Sequence, residues 1–133
     1  MQNRKLPALT PENTAFWQGG RNKKLLIHYC EDCARFFHPP QPACPSCIGV
    51  NVAPRAVSGR GKIVSFTVNC QPWTPDLKNP FVIAIVELEE QTGLRFLTNI
   101  VGTTPDDVAI DMSVRVIFEN IEDVWIPVFE EDK

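Results

Sequence analysis

The sequence predicts a mainly β protein in three consecutive parts: a short N-terminal helix, a ribbon folded around four thiolates, and a small five-stranded barrel. Three observations carry this. Two Cys-x2-Cys pairs, Cys30/Cys33 and Cys44/Cys47, stand ten residues apart. Short apolar runs, most of them alternating, fill the chain after Gly59. Before Arg21, one helix-start signal and a pair of glycines bracket a single short helix.

The helix comes first. Thr10-Pro11-Glu12-Asn13 offers a capping hydroxyl followed by proline at the first helical position, and Gly19-Gly20 offers a stop, so a helix of about nine or ten residues is expected within a segment 1–23. A helix below roughly 12–15 residues is marginal alone in water. This one must therefore dock its Phe16 and Trp17 face, either on its own chain or on a partner subunit.

The second part, 24–58, is the metal module. A thiolate pair two residues apart turns back to grip one ion with both sulfurs, and two such pairs complete a tetrahedral site. The connecting segment holds Pro39, Pro40 and Pro42, which suits an extended ribbon rather than a helix. Cys30, Cys33, Cys44 and Cys47 are thus the expected ligands, with zinc favoured over a rubredoxin-type iron centre. A thioredoxin-like redox pair needs only one Cys-x2-Cys, and two disulfides need an oxidising compartment. His28 and His38 lie near the motif, but four thiolates already fill a closed site. Such a site has no open position for substrate, so the metal is expected to fold the module rather than do chemistry.

The third part, 59–133, reads as strands throughout. Segments 62–70 (KIVSFTVNC) and 94–101 (LRFLTNIV) alternate, 81–88 (FVIAIVEL) is almost wholly apolar, and 113–118 (SVRVIF) and 124–129 (VWIPVF) complete five. Five antiparallel strands in about seventy residues suggest an OB-fold barrel. Pro127 predicts an edge or bulge in the last strand, and Cys70 reads as a small buried hydrophobe.

Composition bounds the function. The apolar fraction is 44% and no apolar run approaches the ~20 residues that span a bilayer. The N-terminus has no hydrophobic stretch resembling a secretory signal, so a reducing, cytoplasmic setting without membrane insertion is expected. Net charge is −3, yet residues 1–62 hold nine Lys or Arg against three acids, while the remainder holds four against thirteen. A basic front half can meet phosphates. There is no P-loop, dinucleotide-binding glycine motif or nucleophile elbow, and no nucleophile–base pair outside the cysteines suggests itself. Catalysis by this chain alone is not expected.

The order of these parts resembles a known family. The helix with Phe16-Trp17, the ribbon Cys30-x2-Cys33 with Phe37-His38-Pro39-Pro40 and Cys44-Pro45-x-Cys47, and Ser58-Gly59-Arg60-Gly61-Lys62 leading into Ser65-Phe66-Thr67 are similar to the zinc-ribbon and OB-fold acyl-CoA-associated proteins. Gln71-Pro72-Trp73, 80–88, 93–101 and 123–127 resemble more narrowly the small subunit of a steroid side-chain aldolase. The resemblance implies a rubredoxin-like zinc ribbon and a non-catalytic accessory subunit of a hetero-oligomer. Its partner would be a thiolase-fold enzyme that binds most of the acyl-CoA and makes or breaks a carbon–carbon bond, by retro-aldol cleavage or as a ketothiolase or acyltransferase. Asp111-Met112 stands where many relatives have Gly-Met, a change Asp tolerates in the left-handed region.

On that reading Arg21, Lys23, Lys24, Arg60 and Lys62 are candidate contacts for the phosphates of coenzyme A or for the partner. Phe16, Trp17 and Trp73 are candidate interface anchors. Two other classes remain: a single-stranded nucleic-acid-binding OB-fold, disfavoured by the acidic barrel, and a rubredoxin-like electron carrier, for which the added barrel is unnatural.

Overall fold

In a computed structural model of the chain, residues 6–70 and 80–132 are described. Strands β1 (Leu25–Cys30), β2 (Arg35–Phe37) and β3 (Val52–Val57) form an antiparallel sheet ordered β2-β1-β3. Strands β4 (Arg60–Asn69), β5 (Phe81–Leu88), β6 (Arg95–Ile100), β7 (Ser113–Ile121) and β8 (Val124–Glu131) close a barrel ordered β4-β5-β6-β8-β7. The β6–β8 contact is parallel and the other pairings are antiparallel. This is an OB-fold barrel, and the mainly β class with a short helix and a cysteine-bearing ribbon is the one expected.

The barrel closes because each strand turns an apolar side inward. Val82, Ala84, Val86 and Leu88 alternate on β5, and Phe96, Thr98 and Ile100 do so on β6. Ile63, Val114 and Phe129 fill the space between them. A register shift between Ile63 and Ser65 bends β4, which pairs with β5 along its length and with β7 at Arg60–Lys62. β8 is buried on both faces: Phe129 belongs to the barrel core, whereas Val124, Ile126 and Val128 pack outward among Leu6, Trp17 and Ile117. A strand covered on both sides has no reason to alternate, which explains its continuous apolar run.

Several expectations need correction. The α-helix, α1 (Thr14–Gln18), has five residues and runs into a 3₁₀ turn at Gly19–Asn22. The expected start does cap the turn that leads into α1: Thr10 Oγ1 accepts the Asn13 amide at 3.3 Å, Asn13 Oδ1 accepts the Thr10 amide at 2.7 Å, and the Thr10 carbonyl accepts the Thr14 amide at 3.0 Å. The α-helix ends at the expected glycines, with Gly19 as its C-cap, and Gly20 has a second role. A Cβ there would lie 2.5 Å from Trp125 Cβ and 2.6 Å from the Phe118 ring, so the absent side chain lets the turn press against β7 and β8. Phe16 is buried in the chain's own core, edge-on to Trp17 and Phe96, and is not an exposed docking residue.

The β7–β8 ladder runs without a shift from Val114↔Glu131 to Ile121↔Val124, so Pro127 makes neither bulge nor break. Its main chain faces β6, where Thr98 Oγ1 donates to its carbonyl at 3.1 Å and β7 asks no amide of it. Cys70 is exposed, because it follows the last paired residue of β4, Asn69↔Phe81. β3 was not expected at all: it is mostly exposed and carries Pro54, so it lacks the apolar alternation that marks a strand. Trp73 and its neighbours lie outside the described residues.

The ribbon is fastened to the barrel at three points. Leu25 and Ile27 of β1 enter the same core as the barrel residues. In the β5–β6 turn, Gln91 takes the place of a neighbouring strand: its Oε1 accepts the Phe36 amide and its Nε2 donates to the Phe36 carbonyl, both at 2.9 Å. Glu90 accepts the Ser58 amide at 2.6 Å.

His38, after β2, leans on the rings of Phe16 and Phe96 at 4.8 and 5.5 Å, and its Nδ1 is buried without a partner. Burial, helped by the charge of nearby His28, holds its pKa down to about 4. The folded state thus resists a proton that the unfolded chain accepts below about pH 6.5, so this stability is complete above 6.5 and is lost as pH falls toward 4. Between pH 7 and pH 5 the loss should be about 2 kcal/mol. His38→Phe should flatten that slope, as read from urea midpoints at the two pH values.

Candidate metal centre

The first pair of cysteines is delivered by β1, which ends on Cys30, and by the tight turn that follows. There the Cys33 amide donates to Cys30 Sγ at 3.4 Å. The second pair repeats the device: the amides of Ser46 and Gly49 donate to Cys44 Sγ and Cys47 Sγ, each at 3.4 Å. The loop is closed by Cys44 N–H to the Gly49 carbonyl at 2.8 Å and Ile48 N–H to the Cys44 carbonyl at 2.9 Å.

These turns bring all four sulfurs within 4.8 Å of one another. Cys30 and Cys47 Sγ are 3.7 Å apart, and Cys33 and Cys44 Sγ 3.8 Å. A tetrahedron with metal–sulfur bonds of about 2.3 Å has edges of about 3.8 Å, so the cluster has the dimensions of a single four-thiolate ion site. Disulfides would need about 2.05 Å. Amides aimed at the sulfurs also favour thiolate. Those of Cys47 and Ser46 hold Cys44 down to about 7 against the opposing effect of burial. Cys33 is pushed up to about 12 by hydrogen bonding with the neighbouring thiols, Cys47 foremost, and by burial. A cation bound among the four sulfurs would displace the remaining protons to solvent and leave thiolates.

Neither histidine joins the cluster. His28 is buried edge-on to Phe37 at 5.6 Å, and His38 faces the barrel. The knuckles have a backbone requirement as well: the residue after each pair's second cysteine, Ala34 and Ile48, sits at φ 55° and 63°. For the β-branched, 75% exposed Ile48 that conformation is strained.

The basic residues do not gather in one place. Arg21 lies over the Trp125 ring at 4.8 Å. Arg60 pairs with Asp132 at 3.7 Å, and both it and Lys62 line a groove shared with Glu87, Glu89 and Asp132. Trp125 pairs with Asn120, and Arg60 with Arg115 five residues earlier on β7, a span of roughly 17 Å. Lys23 and Lys24 are exposed, Lys23 in the left-handed region at φ 58°. Sequence reasoning passed over Arg55, which lies 3.9 Å above the Tyr29 ring and pairs with Glu31 at 3.2 Å beside the first knuckle. It also passed over Gln91, whose role depends on a distant loop and leaves no local signal.

The family model for the rubredoxin-like zinc ribbon domain of ChsH2 matches residues 17–52, and that for the C-terminal OB-fold domain of ChsH2 matches 54–119. The chain is 36% identical over 127 residues to the 3-oxo-4,17-pregnadiene-20-carboxyl-CoA hydratase alpha subunit of Mycobacterium tuberculosis, covering 96% of this chain and 40% of that protein. It is 34% identical over 124 residues to a probable enoyl-CoA hydratase alpha subunit of Thermomonospora curvata, covering 92% and 38%. The chain thus spans about two fifths of the length of these two relatives. A DUF35 domain-containing scaffold protein of Methanocaldococcus jannaschii is 34% identical over 110 residues, covering 80% of this chain and 77% of that one. Among solved structures, an Ltp2-ChsH2(DUF35) aldolase superposes with a TM-score of 0.83 at 32% identity, covering 95% of this chain and 98% of the matched one.

Two outcomes are expected of the metal centre. The purified chain should carry one metal equivalent, and Cys44→Ser should abolish it by elemental analysis while the barrel keeps its β-sheet circular dichroism. Ile48→Gly should relieve about 1 kcal/mol of left-handed strain and slow metal loss to a chelator.

Proposed function

Because the chain belongs to the ChsH2 family of zinc-ribbon and OB-fold proteins, we propose that it is a non-catalytic accessory subunit of an acyl-CoA enzyme complex. The observation that carries this reading is the match, over nearly the full length of both chains, to a component of an aldolase whose name joins two proteins. The chain's own chemistry is compatible. Four thiolates make a closed site, and a filled tetrahedron supplies structure rather than a place for substrate. Zinc is the proposed ion, bound by Cys30, Cys33, Cys44 and Cys47, and its role is to hold the ribbon folded.

The proposed partner is a thiolase-fold catalytic subunit that makes or breaks a carbon–carbon bond, with retro-aldol cleavage of a steroid side-chain acyl-CoA the favoured reaction. In this arrangement 1–23, 24–58 and 59–133 act as a helical plug, a zinc ribbon and a barrel. Lys23 and Lys24 are the basic residues best placed to meet the phosphates of coenzyme A at the partner's mouth, because Arg60 is engaged by Asp132 and Arg21 by Trp125.

Co-expression with the proteins encoded beside this chain, followed by a search of the co-purified material for a thiolase-like protein, is the direct test. Co-elution, with turnover that requires this chain, is the expected result, and failure of any such protein to co-elute overturns the reading. In the assembled enzyme, Lys23→Glu with Lys24→Glu should raise the KM for acyl-CoA several-fold, by roughly 1 kcal/mol of lost charge pairing. An unchanged KM removes these two lysines from the site. Colourless protein that contains zinc is expected, whereas a red protein with a thiolate-to-iron band would reassign the metal.

A further inference from the structure

The four sulfurs of the metal centre are not equally sheltered. Cys30 and Cys44 are buried and Cys33 is half-buried, whereas Cys47 is exposed, within an exposed run from Pro45 to Ile48. Cys30 ends β1, whose first half enters the barrel core, while Cys47 sits on the second knuckle, which has no such anchor among the described residues.

Gly49 keeps the space beside the Cys47 sulfur open. A Cβ there would stand 3.2 Å from Cys47 Sγ and 3.0 Å from Asp32 Oδ2. Asp32 is itself exposed, so this small notch between a sulfur and a carboxylate lies at the surface. Gly49 is not among the glycines at positive φ, so the missing side chain serves space and not backbone conformation. The other carboxylate oxygen, Asp32 Oδ1, accepts Asn51 Nδ2 at 3.4 Å, which holds Oδ2 toward the notch. Cys30 Sγ lies 3.7 Å from Cys47 Sγ, so a shift of about 1.7 Å by the loop that carries Cys47 brings the two to the length of a disulfide.

We propose that Cys47 is the oxidation site of the metal centre and Cys30 its resolving partner, so that a small neutral hydroperoxide such as hydrogen peroxide opens the ribbon and a dithiol closes it. The inference rests on a metal ion filling the four-thiolate site. The Cys47 thiolate attacks one peroxide oxygen: an S–O bond forms, the O–O bond breaks and hydroxide leaves, giving a sulfenic acid. The Cys30 thiolate then attacks the Cys47 sulfur: an S–S bond forms, the S–O bond breaks and a second hydroxide leaves. Two electrons pass from the sulfurs to the peroxide. Cys33 and Cys44 alone do not complete a tetrahedron, so the ion is released and the second knuckle loosens, while the barrel, whose core contains none of the four ligands, stays folded. A dithiol restores both thiols and is itself oxidised to a disulfide. The Asp32 carboxylate at the notch accepts the O–H of a neutral peroxide and repels an anionic oxidant.

The test treats the metal-loaded chain with hydrogen peroxide, in a Cys70→Ser background that removes the exposed cysteine outside the site. Elemental analysis after desalting should show loss of the metal, and peptide mapping without reductant should show a Cys30–Cys47 disulfide as the first product. Dithiothreitol with added metal should restore the original content. Gly49→Ala keeps all four ligands, so it should bind metal as before and release it several-fold more slowly under peroxide. The peptide map is independent of that variant. A first disulfide that omits Cys47, metal retained under peroxide, or release from a metal-loaded Gly49→Ala chain at the unaltered rate overturns the proposal and leaves the metal centre standing. A chain that binds no metal overturns both.

Discussion

Strand β1 belongs to two cores at once, and the rest of the molecule depends on that. Its first half places Leu25 and Ile27 among the barrel side chains, and its last residue is the ligand Cys30. The ribbon's own apolar core is only Cys30, Phe37 and Cys44, with Cys33 and Val52 against it. Burying a side chain contributes about 1.5–3 kcal/mol, whereas fixing each residue of backbone costs about 1–2 kcal/mol. Three small contributions do not hold a module of this length. The tie through β1 to the barrel, and a metal ion drawing four sulfurs together, must supply the remainder. Among the described residues the second knuckle has no comparable anchor in the barrel, so a metal held by the four thiols would be what ties Cys44 and Cys47 to the rest of the chain.

The same economy shapes the junction. Gln91 imitates a strand for Phe36, and Glu90 receives the amide of Ser58, so one turn of the barrel grips both β2 and the connection after β3. On the far side α1 is too short to persist alone, and it survives by inserting Phe16 beside Phe96 and tying Gln18 Nε2 to the Asp123 carbonyl at 3.1 Å. Helix, ribbon and barrel are one packed unit whose weakest closure is the β6–β8 seam.

Much of this was legible in the sequence, and the exceptions have physical causes. The clustering of the four cysteines could be read because metal-site geometry is encoded in short local spacings. β5 matched its apolar run, while β7 and β8 extend past theirs because Glu119, Asn120, Glu130 and Glu131 remain paired main chain whatever their side chains prefer. β3 was hidden because an edge strand exposed on most positions has no pattern to show. The glycines did end the α-helix and Pro127 does sit where β8 has no bridge to β6, but the packing of Gly20 on Trp125 and Phe118 and the absence of a bulge at Pro127 were set by tertiary neighbours. Asp111 was read correctly, at φ 68°, because the preference is local.

The charge asymmetry takes on a different meaning once partners are assigned. The acidic barrel neutralises much of itself at short range: Glu87 with Arg95 at 2.9 Å, Glu130 with Arg115 at 3.0 Å, and Asp132 with Arg60. Arg95, with the Gly93 amide, also holds the Glu87 carboxyl below its ordinary range. Such exposed pairs contribute little to stability, about 0–1 kcal/mol each, but they withdraw both members from any ligand. Lys23 and Lys24 escape this because a backbone bond, Lys24 N–H to the Gly19 carbonyl at 3.0 Å, fixes the turn that carries them without involving their ammonium groups. Four ion pairs thus engage part of the chain's charge, while Lys23 and Lys24 stand exposed where the 3₁₀ turn passes into β1.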